Sequence, residues 1–245
     1  MATKSILIQA NGVPISDGKT QTQASADTAS PILEPVVKRR FDIKKPNVFT
    51  HYDIYPEDSN TMLHYVSISN FTSNKPDLTL HAGSDNQAPA LAVSYMPMST
   101  RHFKIGLSKP SSSSLGEDME WENLEKQSAK GNEYHMVFPM EDGRRWQLAW
   151  KRTHGHAVDN KETSSLSMRD WKLVDLKTGQ VVALFTNERW SIVKTGTVQI
   201  NGEFGKGFDQ LVFITVLSLY EKVRRRHQRG AWNELVQVVK IPICI

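Results

Sequence analysis

Cysteine is nearly absent: Cys244 is the single one in 245 residues. That excludes an internal disulfide framework, a four-cysteine zinc ribbon and a CxxC redox pair. Cys244 has no neighbouring base to activate it, so it is not read as a nucleophile. No apolar run approaches the roughly 20 residues of a spanning helix. The chain has no GxSxG, Walker loop, HExxH or Gly-rich fingerprint after a strand, the patterns that place a nucleophile, a phosphate cradle or a zinc ion. A non-enzymatic protein without a cofactor is therefore expected.

What is present suits one large domain. The chain is 39% apolar, 23% charged and 9% aromatic, with a mean hydropathy of −0.44. These values fit neither a polytopic membrane protein nor a wholly disordered chain. The run Ile6–Ile8 is too short for a secretory leader, which points to an intracellular, cytoplasmic protein.

The formal charge is +4, from 30 basic and 26 acidic residues. Lys222, Arg224, Arg225, Arg226 and Arg229 account for the surplus, because 30 less these 5 leaves 25 cations against 26 acids. A second basic cluster, Lys38, Arg39, Arg40, Lys44 and Lys45, is interrupted only by Asp42. Two local clusters on a neutral body indicate an anionic surface met at particular places. Three consecutive arginines cover most azimuths of a helix, so the cluster at 222–229 is expected to project from the protein. Arg144 and Arg145 open a Trp-rich strand, and with Lys151 and Arg152 they form either a cationic face or an ordinary outward strand face. Nucleic acid is not expected as a partner, since no reading helix or base-stacking motif accompanies the arginines.

Residues 9–30 contain almost no large apolar side chain, which predicts a disordered arm. Pro31 to Lys45 reads as a linker, so 1–44 precedes a domain at 45–229, and 230–245 forms a tail of uncertain structure. Within the domain the pattern is short strands. Trp146, Leu148 and Trp150 alternate with Arg145, Gln147 and Lys151, the period of a half-buried strand. Trp171–Leu176 and Val181–Phe185 flank a turn that contains Gly179; Trp190–Lys194 and Thr197–Asn201 flank Thr195-Gly196, and both read as hairpins. Candidate strands near 48–55, 62–69, 78–81, 90–96, 102–107, 119–124 and 133–138 bring the total to about twelve.

Leu211–Tyr220 breaks this pattern, with no polar face at any helical angle. A buried strand would suit its Val, Ile and Phe. A helix over about 208–225, enclosed by protein and with Asp209 near its start and cations at its end, fits better. About sixteen helical residues span roughly 24 Å, a plausible barrel height. An eight-stranded barrel fills with its own side chains, whereas a larger one holds a central helix. The expected fold is mainly β: about twelve strands closed around a near-C-terminal hydrophobic helix.

Gly143-Arg144-Arg145-Trp146, Trp171–Asp175 with Thr178-Gly179, Val181–Phe185 and the closing segment Phe208–Arg226 resemble the Tubby C-terminal-like superfamily, which includes Tubby-like proteins, plant LURP-one-related proteins and phospholipid scramblases. They look most like the uncharacterised Tubby-like domain proteins of filamentous fungi. The resemblance implies binding of anionic membrane lipid, phosphoinositide above all, through basic side chains. The residues expected to carry it are Lys222, Arg224, Arg225, Arg226 and Arg229, helped by Lys38, Arg39, Arg40, Arg144 and Arg145. Scramblases place a calcium site just before the closing helix; here Asn201–Asp209 lacks closely spaced carboxylates, so calcium is not carried over. His154 and His156 flank Gly155 and read as a loop tip rather than a metal site. Glu117, Asp118, Glu120 and Glu122 read as solvating charge. The alternative function is an intracellular protein-interaction scaffold whose arm and Ser-rich loop contact a partner.

Overall fold

The computed structural model describes residues 37–46, 50–69, 72, 74–97, 102–108, 119–140, 143–153, 170–188 and 190–238, with backbone alone from 229 onward. Twelve antiparallel strands close into a barrel in sequence order, the last pairing with the first. They are β1 (Lys38–Lys44), β2 (His51–Pro56), β3 (His64–Ile68), β4 (Leu78–His81), β5 (Ala90–Tyr95), β6 (His102–Ser108), β7 (Met119–Lys126), β8 (Glu133–Pro139), β9 (Arg145–Arg152), β10 (Trp171–Asp175), β11 (Val181–Asn187) and β12 (Lys194–Asn201). Helix α1 (Lys206–Val238) follows.

The closed barrel removes the free sheet edges that an open sheet would expose, and α1 fills its lumen. Phe208, Leu211, Val212, Phe213, Ile214, Val216, Leu217 and Leu219 are all at most 1% exposed. Because these positions cover the whole circumference of the helix, protein surrounds it on every side. Each such side chain contributes about 1.5–3 kcal/mol by leaving water. The two polar residues in the run are satisfied internally. The Thr215 hydroxyl donates to the Leu211 carbonyl (2.6 Å) and accepts from Trp150 Nε1 (2.9 Å). The Ser218 hydroxyl bonds to the Ile214 carbonyl (2.6 Å) and to the Ser94 hydroxyl (2.7 Å).

The count of twelve strands holds, but two of its members change places. Residues 38–44 are a barrel strand, not a linker. Their alternation sets Phe41 and Ile43 into the core, and β1 pairs with β12 from Lys38↔Asn201 onward. At the other end, 190–194 and 197–201 do not form a hairpin. β12 runs unbroken through Thr195-Gly196, and the turn reading fails because Gly196 serves close strand approach. A Cβ there would lie 2.4 Å from the Thr186 carbonyl oxygen and against the Phe185 ring. The Gly179 turn does join β10 to β11, with φ at 75°. Asp175 accepts from the Lys177 amide (2.9 Å) and the Thr178 hydroxyl (2.6 Å) to shape it.

The helix also outruns its expected 208–225 span. Its backbone continues through most of the tail to Val238. Among the described residues no helix is long and apolar enough to cross a membrane. The arm at 9–30, the Ser-rich loop after Ser108 (109–118), His154, His156 and Cys244 lie outside the described residues.

Candidate functional site

The two barrel mouths follow from β1. Its lumen-facing row is Arg39, Phe41 and Ile43, continued by Lys45, and the row tracks α1 from Asp209 to Glu221. Arg39 grips the first turn of the helix: Nη1 and Nη2 donate to the two Asp209 carboxylate oxygens (2.5 and 2.8 Å), and Nη2 also reaches the Gly202 carbonyl (3.1 Å). Phe41 meets Phe213 edge-on at 5.0 Å. Lys45 Nζ donates to Glu221 (3.0 Å). Asp209 and Glu221 are twelve helical residues apart, about 18 Å. The basic cluster at 38–45 therefore straddles the barrel: Lys38–Arg40 sit at the lower mouth, where α1 begins, and Lys45 at the upper mouth, where it leaves.

Arg144 and Arg145 join the lower mouth, beside the ring cluster of Trp146, Phe204 and Phe208. Arg40 lies 3.6 Å from Glu57 and donates from Nε to Gln199 (3.1 Å). Arg145 donates to Glu122 (2.7 Å), so that acid serves a specific partner rather than a merely solvating run. The ten expected lipid-binding residues are thus divided between opposite ends. Lys38, Arg39, Arg40, Arg144 and Arg145 are at one end, Lys222, Arg224, Arg225 and Arg226 at the other, and the side chain of Arg229 lies outside those described.

At the upper mouth the expectation that all three arginines project is overturned for two of them. Glu221 is fully buried and draws them in. Arg224 binds its carboxylate with three short contacts (2.8–3.0 Å), and Arg225 lies at 3.4 Å. Arg225 is itself buried and donates to Asp77 (2.6 Å). The Tyr52 hydroxyl also donates to Glu221. Burial alone would raise the Glu221 pKa, but Arg224, Lys45 and Tyr52 outweigh it and hold the carboxyl at about 2. An arginine run predicts an outward display only when no buried acid lies one turn away, and Glu221 lies three and four residues before these arginines.

A second group of cations rings the same mouth. Lys222 is half-buried, its ammonium 4.4 Å from the Phe103 ring centre and 5.3 Å from that of Tyr134. Arg152 stacks over Trp171 at 3.8 Å. Lys126 donates to the Ala129 carbonyl (2.7 Å), and Arg226 is exposed. Among the described residues no carboxylate lies within ion-pair distance of Lys126, Lys222 or Arg226. Burial, then Lys126, then Arg226 push the Lys222 pKa down to about 8. The protein thus holds like charges together over aromatic rings, an arrangement that favours an incoming anion.

Sequence reasoning missed the loop between β11 and β12 entirely, having read it as a strand. It lies at the upper mouth, since Val193 and Lys194 adjoin Lys44 and Lys45. Trp190 is 93% exposed and Ile192 94%. The signal was present in the run Trp190-Ser191-Ile192-Val193, whose apolar residues have no facing partners once Gly196 is placed inside β12.

No family model matches the chain, and no curated protein matches it. A solved X-ray structure of a protein from Arabidopsis thaliana is similar to 78% of this chain and 93% of its own, at 11% identity and a TM-score of 0.40.

Proposed function

We propose that this chain is a non-enzymatic Tubby-like barrel that associates peripherally with anionic membrane lipid, phosphoinositide included, through its upper mouth. Support comes from the resemblance of its strand and helix motifs to the Tubby C-terminal-like superfamily. One observation carries the reading: Lys222 lies over Phe103 and Tyr134 with Lys126 and Arg226 near enough to lower its pKa, and no carboxylate among the described residues neutralises the three. Each cation near an anionic leaflet is worth about 1 kcal/mol, so three give weak, salt-sensitive attachment. Arg39, Arg224 and Arg225 are assigned to the fold instead, because their ion pairs hold α1 in place.

The test is flotation of purified protein with phosphatidylcholine vesicles, with and without phosphatidylserine and a phosphatidylinositol phosphate, at low and physiological salt. Flotation only with the anionic vesicles, weakened by salt, supports the reading. Absence of flotation in every condition refutes it and favours the protein-interaction scaffold.

A further inference from the structure

The fold leaves the loop between β11 and β12 without an internal explanation. An unconstrained loop that exposed apolar residues would hide them by rearranging. This one is tied down at three points: the Glu188 amide to the Thr195 carbonyl (3.0 Å), the Lys194 amide to the Ser191 hydroxyl (2.8 Å), and the Lys45 amide to the Val193 carbonyl (2.6 Å). The last bond fixes the tip to β1 beside Lys45, itself anchored on Glu221. The backbone is held, while Trp190, Ile192 and Val193 point into solvent at 93, 94 and 48% exposure. The other exposed large apolar residues among those described, Val37, Leu63 and Trp121, are 37–52% exposed and scattered.

We infer that Trp190, Ile192 and Val193 form a preformed wedge that inserts into the interfacial region of an anionic bilayer when the upper mouth meets it. This rests on the lipid reading above and adds its hydrophobic half and its orientation. A bilayer is the occupant because of size and charge. The three side chains offer on the order of 400 Å², against the roughly 800 Å² per partner of a standard protein interface. The tip shares its barrel end with Lys126, Lys222 and Arg226, which complement anionic headgroups. Indole is also the side chain best suited to a boundary that is apolar on one side and wet on the other. Helix α1 continues seventeen residues beyond Glu221, about 25 Å, so the wedge reaches the surface only if the barrel tilts away from upright.

The wedge is tested in the full chain with two variants and the same vesicles, containing phosphatidylserine and a phosphatidylinositol phosphate. In one, Cys244→Ser with Ile192→Cys carries an environment-sensitive fluorophore; in the other, Trp190→Ala is combined with Ile192→Ser. The expected results are a blue shift of the label, quenching by nitroxides on the upper acyl chain, and at least a roughly tenfold weaker vesicle affinity for the double variant. Both substituted positions are fully solvated, so the far-ultraviolet spectrum and melting temperature should remain those of the wild type. A label that stays in water, with undiminished binding by the double variant, overturns the wedge and leaves headgroup attachment standing. Failure of wild-type protein to bind any vesicle overturns the lipid reading and the wedge with it.

Discussion

The two mouths of the barrel use similar residues to opposite ends. At the lower mouth Arg39, Arg40 and Arg145 each face an acid: Asp209, Glu57 and Glu122. At the upper mouth Glu221 and Asp77 engage Lys45, Arg224 and Arg225, while Lys126, Lys222 and Arg226 remain without an acid among the described residues. The three lower arginines are each answered by an acid, and the three upper cations are not, among the described residues. A basic cluster in the sequence therefore says little about function until its acids have been placed in space.

The lumen between the mouths carries the largest effect. Leu217 is fully enclosed, so Leu217→Asp buries an unpaired charge and should abolish folding, a loss above about 5 kcal/mol visible as a missing thermal transition. A folded Leu217→Asp protein would mean that the helix lies outside the barrel.

Next comes the upper lock. Glu221→Ala strands Lys45, Arg224 and Arg225 in a buried site and should cost about 3–5 kcal/mol in urea unfolding. Acid probes the same lock without a mutation. The Glu221 pKa of about 2 lies below its unfolded value, so its contribution is whole above about pH 4.3 and fades as the pH falls toward 2. An acid-induced loss of about 3 kcal/mol is expected over that window, and Glu221→Gln should flatten it.

The lower lock is weaker because Asp209 is partly exposed. Arg39→Ala should cost about 1–2 kcal/mol, clearly less than Glu221→Ala. An equal or larger cost would erase the distinction between the mouths.

The smallest effect runs the other way. Lys222 has its pKa lowered to about 8 by burial and like charges, so its charge opposes folding at neutral pH. Lys222→Met should raise stability by about 1 kcal/mol, roughly 2–4 °C in melting temperature, while weakening vesicle binding. Between pH 8 and the ordinary lysine range the unfolded chain holds the extra proton, so wild-type stability should rise with pH there and the variant should not share the rise. A destabilised variant would make Lys222 a structural residue.

The barrel and its helix were legible because burial writes itself into the pattern. Leu211–Leu219 offers no polar face, and Trp146, Leu148 and Trp150 alternate cleanly. β1 was hidden because only Phe41 and Ile43 mark its inner row; the ends of that row are Arg39 and Lys45, which look like surface charge until Asp209 and Glu221 meet them. The site was less legible than the fold. Two of its arginine pairs, Arg39–Asp209 and Arg225–Asp77, span more than a hundred residues, which no local pattern encodes. Gly196 misled in the same way, since its need for room comes from Thr186 and Phe185 on the neighbouring strand.

The most direct test of an open upper mouth is matched charge reversal at both ends, read by flotation with the anionic vesicles. Lys126→Glu with Arg226→Glu changes the upper mouth, and Lys38→Glu with Arg144→Glu removes the same charge from the lower. The account predicts that the upper pair abolishes flotation while the lower pair floats like wild type. Equal losses from both pairs, or a loss from the lower pair alone, would contradict it.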